Sequence, residues 1–283
     1  MPLYNESHMR TLIIQLPPGL PSPSLVYAHA RLEAEPGSRP LALQWAAAAL
    51  LPAADRQSET VVLVPAAALS WHRVELPAGL HKQAQRVQAA LQGLLEDRLL
   101  DDPEHLHLAL QADGAKHPRP WVAVCDRAWL SAHLNALEQA GLPVHRIVPE
   151  LAPGTPGSPV QLTAVGDADT GWLWVSHPER GVWGQPWPAL RQAGLAAHER
   201  LGLSEPEQAT ASLQAHWLGQ GADTAPLRAI VYLVDHCRGN AANDSEPGFA
   251  NRPIKERVVW MIELFERVEA QRQAQRGLQR LGG

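Results

Sequence analysis

The sequence holds only two cysteines and two phenylalanines in 283 residues, no long apolar run and no excess of positive charge. Each shortage removes a class of protein. Two thiols, Cys125 and Cys237, cannot build a disulfide framework. Both sit where strands are expected to end, so they read as small buried thiols of a reducing cytoplasm. The longest apolar stretches, LALQWAAAALL from Leu41 and VVWMI from Val258, fall short of the roughly 18 residues a membrane-spanning helix needs, and no direct membrane span is expected in this chain. The N-terminus, MPLYNESHM, lacks the basic-then-apolar pattern of a secretion signal. A formal charge of −5 provides no basic footprint, so nucleic acid is not an expected partner.

What is present describes a globular protein. The 45% hydrophobic content comes mainly from Ala, Leu and Val, together with 10 Trp. The length suffices for two small domains or one duplicated fold with real cores. TLIIQL (11–16) is a β-branched run closed by Pro17, Pro18 and Gly19, which predicts a buried strand and a turn. SLVYAHA alternates as a second strand, and LALQWAAAALL reads as a strand running into a helix. VVLVP (61–65) is an unbroken apolar run of the kind buried on both faces, and LSWHRVELP alternates after it.

From Leu80 the period changes. Val87, Leu91, Leu94, Leu95 and Leu99 fall three and four apart and place one apolar stripe on a helix over 80–100, which Pro103 should stop. HLHLAL returns to period two, and WVAVCD is a strand whose Asp126 can cap the next helix. That helix carries Trp129, Leu130, His133, Leu134 and Leu137 on its inner side and ends at Gly141. VHRIVPE is a further strand.

LAPGTPGSP (151–159) is the best domain boundary in the chain. Beyond it VQLTAV, GWLWVS and GVWGQPW predict three strands. Helices are expected near 189–200 and 205–218, then the strand RAIVYLV. Strands followed by helix thus occur in both halves. After Cys237 the composition changes to loop chemistry. Residues 254–281 then space Ile254, Val258, Met261, Phe265 and Val268 as an amphipathic helix seeking a partner face, a homodimer being one way to cover it. The end of this segment is basic, with Arg267, Arg272, Arg276 and Arg280 against Glu269.

Chemical motifs are scarce. There is no G-x-x-x-x-G-K-[ST], no G-x-G-x-x-G between strand and helix, and no G-x-S-x-G. HERLG at 198 has Gly202 where a zinc protease needs its second His. GDADTG (166–171) is an acidic Gly loop between strands, readable as a hairpin turn or as a Mg²⁺–phosphate loop through Asp167 and Asp169. Trp172, Trp174, Trp183 and Trp187 could line a groove or fill a core. His105 and His107 share a strand face without a third ligand nearby. No catalytic residue, metal or cofactor is expected.

One cluster stands out. LLEDRLLDDPEHLHLAL (94–110) gathers Glu96, Asp97, Asp101, Asp102 and Glu104 at a predicted helix end beside a proline, where water has easy access. Such carboxylates suit acid–base work poorly, because at least one member of a catalytic pair needs an apolar pocket. Negative charge at a helix C-terminus also opposes the helix dipole by about a few tenths of a kcal/mol per residue. An exposed group that disfavours its own helix points to a docking surface, and these five residues are the expected partner-binding set.

VVLVP, VELP, LLEDRLLDDPEHLHLAL, VAVCDRAWLSAHLNALEQAGL and VHRIVPE, in that order, resemble the cytoplasmic region of type II secretion system protein L. The helix end with its His-Leu-His strand and the closing Pro149-Glu150 are the most specific elements, and GWLWVSHPERGVWG is similar to the family's next hairpin. The resemblance implies an α/β, actin-like (ribonuclease H-like) duplicated mixed-sheet fold. It would comprise a first subdomain over 9–150 with an inserted helix–strand region and a second over 160–236; residues 237–283, a loop and an amphipathic C-terminal helix, depart from the family, which places a membrane helix there. It further implies a scaffold at the cytoplasmic face of the bacterial inner membrane that recruits the secretion ATPase E and connects to platform protein M. The alternative within the same fold is an active ATPase or small-molecule kinase using Mg·ATP at Asp167 and Asp169. The missing phosphate loops favour the scaffold.

Overall fold

Strand β1 (Arg10–Gln15) shows why the apolar runs pair as they do. Leu12, Ile14 and Leu16 are buried while Ile13 and Gln15 face the half-exposed side, the period of two that a pleated strand imposes. The computed structural model describes residues 10–32, 44–53, 58–77, 84–111, 117–165, 171–193, 197–204, 207 and 211–216. Asp167, Asp169, Cys237, the strand expected at RAIVYLV and the helix expected over 254–281 lie outside the described residues. Contacts divide the chain into two units, Met1–Ala152 and Pro153–Gly283.

In the first unit β1 pairs antiparallel with β2 (Val26–Leu32), which pairs antiparallel with β3 (Gln44–Ala47). On its other side β1 runs parallel to β4 (Ser58–Val64), and β4 parallel to β8 (Arg146–Pro149), for the order β3-β2-β1-β4-β8. Between β4 and β8 the chain inserts β5 (Ser70–Arg73), α1 (Ala84–Leu95), β6 (Leu106–Leu110), β7 (Trp121–Asp126) and α2 (Arg127–Gln139). The inserted strands form their own antiparallel sheet, β5-β7-β6.

Two cores result. Leu12, Ile14, Leu16, Tyr27, Val62 and Val64 from the first sheet pack with Trp129, Leu130, Leu137 and Leu142 from α2 and the residues after it. Leu91 and Leu95 of α1 pack with Leu106, Leu108, Val122 and Val124 of the inserted sheet. Strand β7 serves both, because Val122 and Val124 enter the second core while Cys125 enters the first. Burial, and then the neighbouring Asp126, push the Cys125 thiol up to about 11, which keeps it an inert thiol.

Helix α2 is closed at both ends. Asp126 Oδ1 accepts from the Trp129 N–H at 2.7 Å. Gly141, at φ +77°, turns the chain so that its N–H donates to Glu138 and the N–H of Leu142 to Leu137, a left-handed cap that glycine makes cheaply. Within α2, His133 is wholly buried. Its Nε2–H donates to the Gly19 carbonyl and its Nδ1 accepts from the Tyr27 hydroxyl, each at 2.9 Å. Trp129 and Tyr27 meet the imidazole edge-on. Burial lowers the His133 pKa against the bonds that would raise it, so the ring is neutral and ties the β1–β2 turn to α2.

The second unit repeats the order of the first four strands. Strand β9 (Gln161–Val165) pairs antiparallel with β10 (Trp172–His177), β10 with β11 (Gly181–Pro186), and β9 runs parallel to β12 (Ser212–His216), giving β11-β10-β9-β12. Helices α3 (Trp187–Ala193) and α4 (Ala197–Arg200) follow β11. A first strand flanked by an antiparallel pair on one side and a parallel strand on the other thus appears twice. The chain adopts the duplicated, mixed-sheet α/β fold of the actin-like (ribonuclease H-like) kind.

Three local expectations are corrected. The helix expected to run to residue 100 leaves α geometry after Leu95, tightens into a single 3-10 turn over Glu96–Arg98 and is extended by Leu99, four residues before Pro103. Leu94, read as part of the buried stripe, is exposed, because Leu91 and Leu95 already fill that face. Part of the helix expected over 205–218 is strand β12, since parallel pairing with β9 outweighs local propensity.

A charged staple secures the second unit. His177 Nδ1 accepts from the backbone N–H groups of Glu179 and Arg180, which leaves Nε2–H to donate to Glu207 at 2.7 Å. Ser204 donates to the same carboxylate from its N–H and hydroxyl, and Arg180 pairs with it at 3.2 Å while stacking over Trp183. The His177 hydrogen bond first, and then the Ser204 N–H, hold Glu207 down to about 2. Beside it Gly184 is obligatory, since a Cβ there would meet the Trp174 ring at 2.6 Å.

Tyr27→Phe leaves buried His133 Nδ1 without its donor and should cost about 1–3 kcal/mol in urea unfolding. Because the folded pKa of Glu207 lies below its unfolded value of 4.5, its contribution is complete above that value and is lost as pH falls towards 2. Stability should therefore fall less steeply with acid in Glu207→Gln than in the wild type, read by urea midpoints at pH values on either side of 4.

Candidate functional site

The acidic cluster lies where α1 gives way to β6. After the Glu96–Arg98 turn the chain is extended at Leu99. It then turns again over Pro103–His105, where Asp102 Oδ1 accepts from the Glu104 N–H at 2.9 Å. Asp102 is thus an ordinary N-cap for a short turn with proline at its start. Two devices hold the segment. Arg98 donates to the Arg73 carbonyl at 2.6 Å, and Arg127 donates to the Leu106 carbonyl at 2.8 Å.

All five predicted residues are exposed, and the structure divides them. Asp101, Asp102 and Glu104 line an open concavity of about 540 Å³ together with His105, Asp126, Arg127 and Ser131. Glu96 and Asp97 lie on the preceding 3-10 turn, outside its lining. Asp126, Arg127 and Ser131 join because β6 pairs antiparallel with β7 and sets Leu106 opposite Asp126. Sequence reasoning saw in Asp126 only a helix cap. The signal that reaches further is the pairing of HLHLAL with WVAVCD, which brings the start of one run to the end of the other.

Charge at this site is predominantly negative. Four carboxylates face the concavity, and among the described residues none is in an ion pair. The one guanidinium in the lining is engaged by a carbonyl. His107, next to the site on β6, has its pKa lowered by burial and then by Arg127, so it adds no positive charge at neutral pH. Leu100, next to Asp101 in the chain, is fully exposed, and Leu94 in the last turn of α1 is also exposed. An apolar tip beside an acidic rim is what a partner with a cationic, partly apolar segment would engage.

The tryptophans are held mostly by packing, and the histidine pair gains no third ligand among the described residues. Among the described residues no three His, Cys, Asp or Glu side chains converge as metal ligands, and His105 sits in the turn before the strand that carries His107. Trp174 and Trp187 are buried, Trp183 donates to the Leu201 carbonyl, and Trp172 stacks on Trp174 at the outer end of the row. Gly202, in place of a zinc ligand, has φ +64°. Among the described residues no helix is long and apolar enough to cross a membrane.

The fold places the chain in the actin-like class of α/β proteins, and the comparisons narrow that class. Residues 38–176 match the family described as type II secretion system (T2SS), protein L. The type II secretion system protein L of Dickeya chrysanthemi is 30% identical over 125 residues, 43% of this chain and 26% of that protein. Its counterpart in Vibrio cholerae serotype O1 is 34% identical over 95 residues, 34% of this chain and 22% of that protein. The chain thus spans about a quarter of the length of these relatives. Among solved structures it is similar to the cytoplasmic domain of EpsL, an inner membrane component of the type II secretion system of Vibrio cholerae. The TM-score is 0.50 and the identity 22%, over 75% of this chain and 84% of that one. The likeness to the type II secretion system protein L family thus lies over residues 38–176, just under half of the chain.

Proposed function

We propose that this chain is a non-enzymatic docking scaffold of the type II secretion inner-membrane platform. It sits on the cytoplasmic side of the inner membrane, binds the secretion ATPase E and links it to other platform components such as protein M. The family match over 38–176 supports the system. The observation that carries docking is the concavity at the α1–β6 junction, where four carboxylates outnumber the single guanidinium of Arg127 beside exposed Leu100. An excess of negative charge on a rim raises the encounter rate of a basic partner and selects against an acidic one. We extend the partner surface along the same turn to Glu96 and Asp97, and divide the chain into a first subdomain over 9–150 and a second over 160–236.

Binding at an acidic rim depends on salt. The double substitution Asp101→Lys, Asp102→Lys should weaken affinity for the ATPase by about tenfold or more at low salt, roughly 1.4 kcal/mol, with a smaller difference at high salt. Isothermal titration of the two purified proteins measures this, and equal affinities at low salt would remove the assignment.

A scaffold reading also makes a statement about nucleotide. A ligand that binds only the folded state raises Tm by mass action, by about 2.7 kcal/mol at a hundredfold excess over Kd. Thermal unfolding should be the same with and without millimolar Mg·ATP, whereas a dose-dependent rise would favour the ATPase or kinase reading.

A further inference from the structure

Away from the docking surface, the parallel strands β1, β4 and β8 end side by side, and a carboxylate sits at that end with no role in the acidic rim. Glu150 follows β8 directly, and its N–H donates to the Val64 carbonyl at 2.8 Å, so its backbone is part of the ladder. Its side chain turns in over the strand ends. Gln15, the last residue of β1, donates from Nε2 to Glu150 Oε1 at 2.8 Å. The backbone N–H of Ala66, two residues beyond β4, donates to Oε2 at 2.9 Å. Each oxygen therefore has its own donor, one from the end of β1 and one from the 3-10 turn that follows β4.

Among the described residues Glu150 is in no ion pair, and burial pushes its pKa up against the bonds from Ala66 and Gln15. A partly desolvated carboxylate without a counter-ion is held only by the donors aimed at it. The carboxyl ends of parallel strands are also where open α/β sheets receive anionic ligands, with backbone N–H and side-chain amide groups as donors. Here the chain supplies the anion itself.

We propose that Glu150 is a resident anion: its carboxylate fills a two-donor anion position built by the Gln15 amide and the Ala66 N–H, and thereby closes that position to free carboxylates and phosphates. The inference stands independently of the docking reading. It accounts for a charged side chain at the root of the 151–159 linker, and it makes the strand ends of the first unit a place where structure has replaced a ligand.

The test removes the side chain and offers the anion back. In the full chain, Glu150→Ala should lower Tm by about 3–8 °C. Formate or inorganic phosphate should restore part of the loss, beyond any rise they cause in the wild type and beyond chloride at equal ionic strength. The double variant with Gln15→Ala should lose that recovery. An unchanged Tm in Glu150→Ala, or a lowered Tm that no anion restores selectively, would overturn the proposal. Should Glu150→Ala fail to fold, Glu150→Gln decides. Its amide cannot accept from both donors, so a lowered Tm supports the assignment and a wild-type Tm refutes it. No partner protein enters these readouts, so their failure is distinct from a failure of the docking surface.

Discussion

The parallel ladder between β1 and β4 is the constraint on which the first unit rests. It joins residues 10–15 to 58–63 in register, across the β2 and β3 meander, and so must close a long loop before any of its hydrogen bonds contribute. Once closed, it aligns Leu12 and Ile14 with Val62 and Val64 into one apolar face, which α2 then covers. It also brings Gln15 and Ala66 to the same end of the sheet, where β8 delivers Glu150. The inserted sheet and the acidic concavity both hang from the connection between β4 and β8, so their position follows from this ladder.

The same order of strands in the second unit carries a different set of fastenings. In the first unit a neutral histidine, His133, ties a turn to a helix through uncharged hydrogen bonds. In the second, His177 anchors a hairpin turn and donates a hydrogen bond from its remaining N–H to a carboxylate that also holds Arg180 and Ser204. The first kind of fastening suits a fully buried position, where a charge would be costly. The second suits a partly exposed edge, where Glu207 retains contact with water. In the first unit the turns that display Asp101, Asp102 and Glu104 are braced by Arg98 and Arg127 against backbone carbonyls, so the acidic rim is preorganised.

Much of this was legible in the sequence, because local patterns declare themselves wherever one face of an element is buried. TLIIQL, VVLVP and WVAVCD read as strands through burial of alternate or continuous apolar residues, and α2 through its cap, its inner stripe and Gly141. The end of α1 was less legible. Leu94 and Leu95 both fit a helical stripe, and only the placement of the inserted sheet decides which is covered. Strand β12 was read as helix because its residues carry no strong strand preference; the edge of β9 recruits them. At the acidic site the five carboxylates were visible as a group, but the hairpin pairing of β6 with β7 separates Glu96 and Asp97 from the concavity and adds Asp126 and Ser131 to it.

The amino-acid sequence by itself determined the main strands and helix α2, the family resemblance with the class of fold it implies, and the sign of the charge at the α1–β6 junction, since these depend on residue type and short-range spacing. Only the tertiary structure decided which carboxylates share one concavity, which leucines stay exposed beside it, and that Glu150 meets Gln15 and Ala66 at the strand ends. Those outcomes rest on pairings between residues about 20 to 135 positions apart, and a contact over such a distance is selected by the register of the whole sheet, which no local pattern contains.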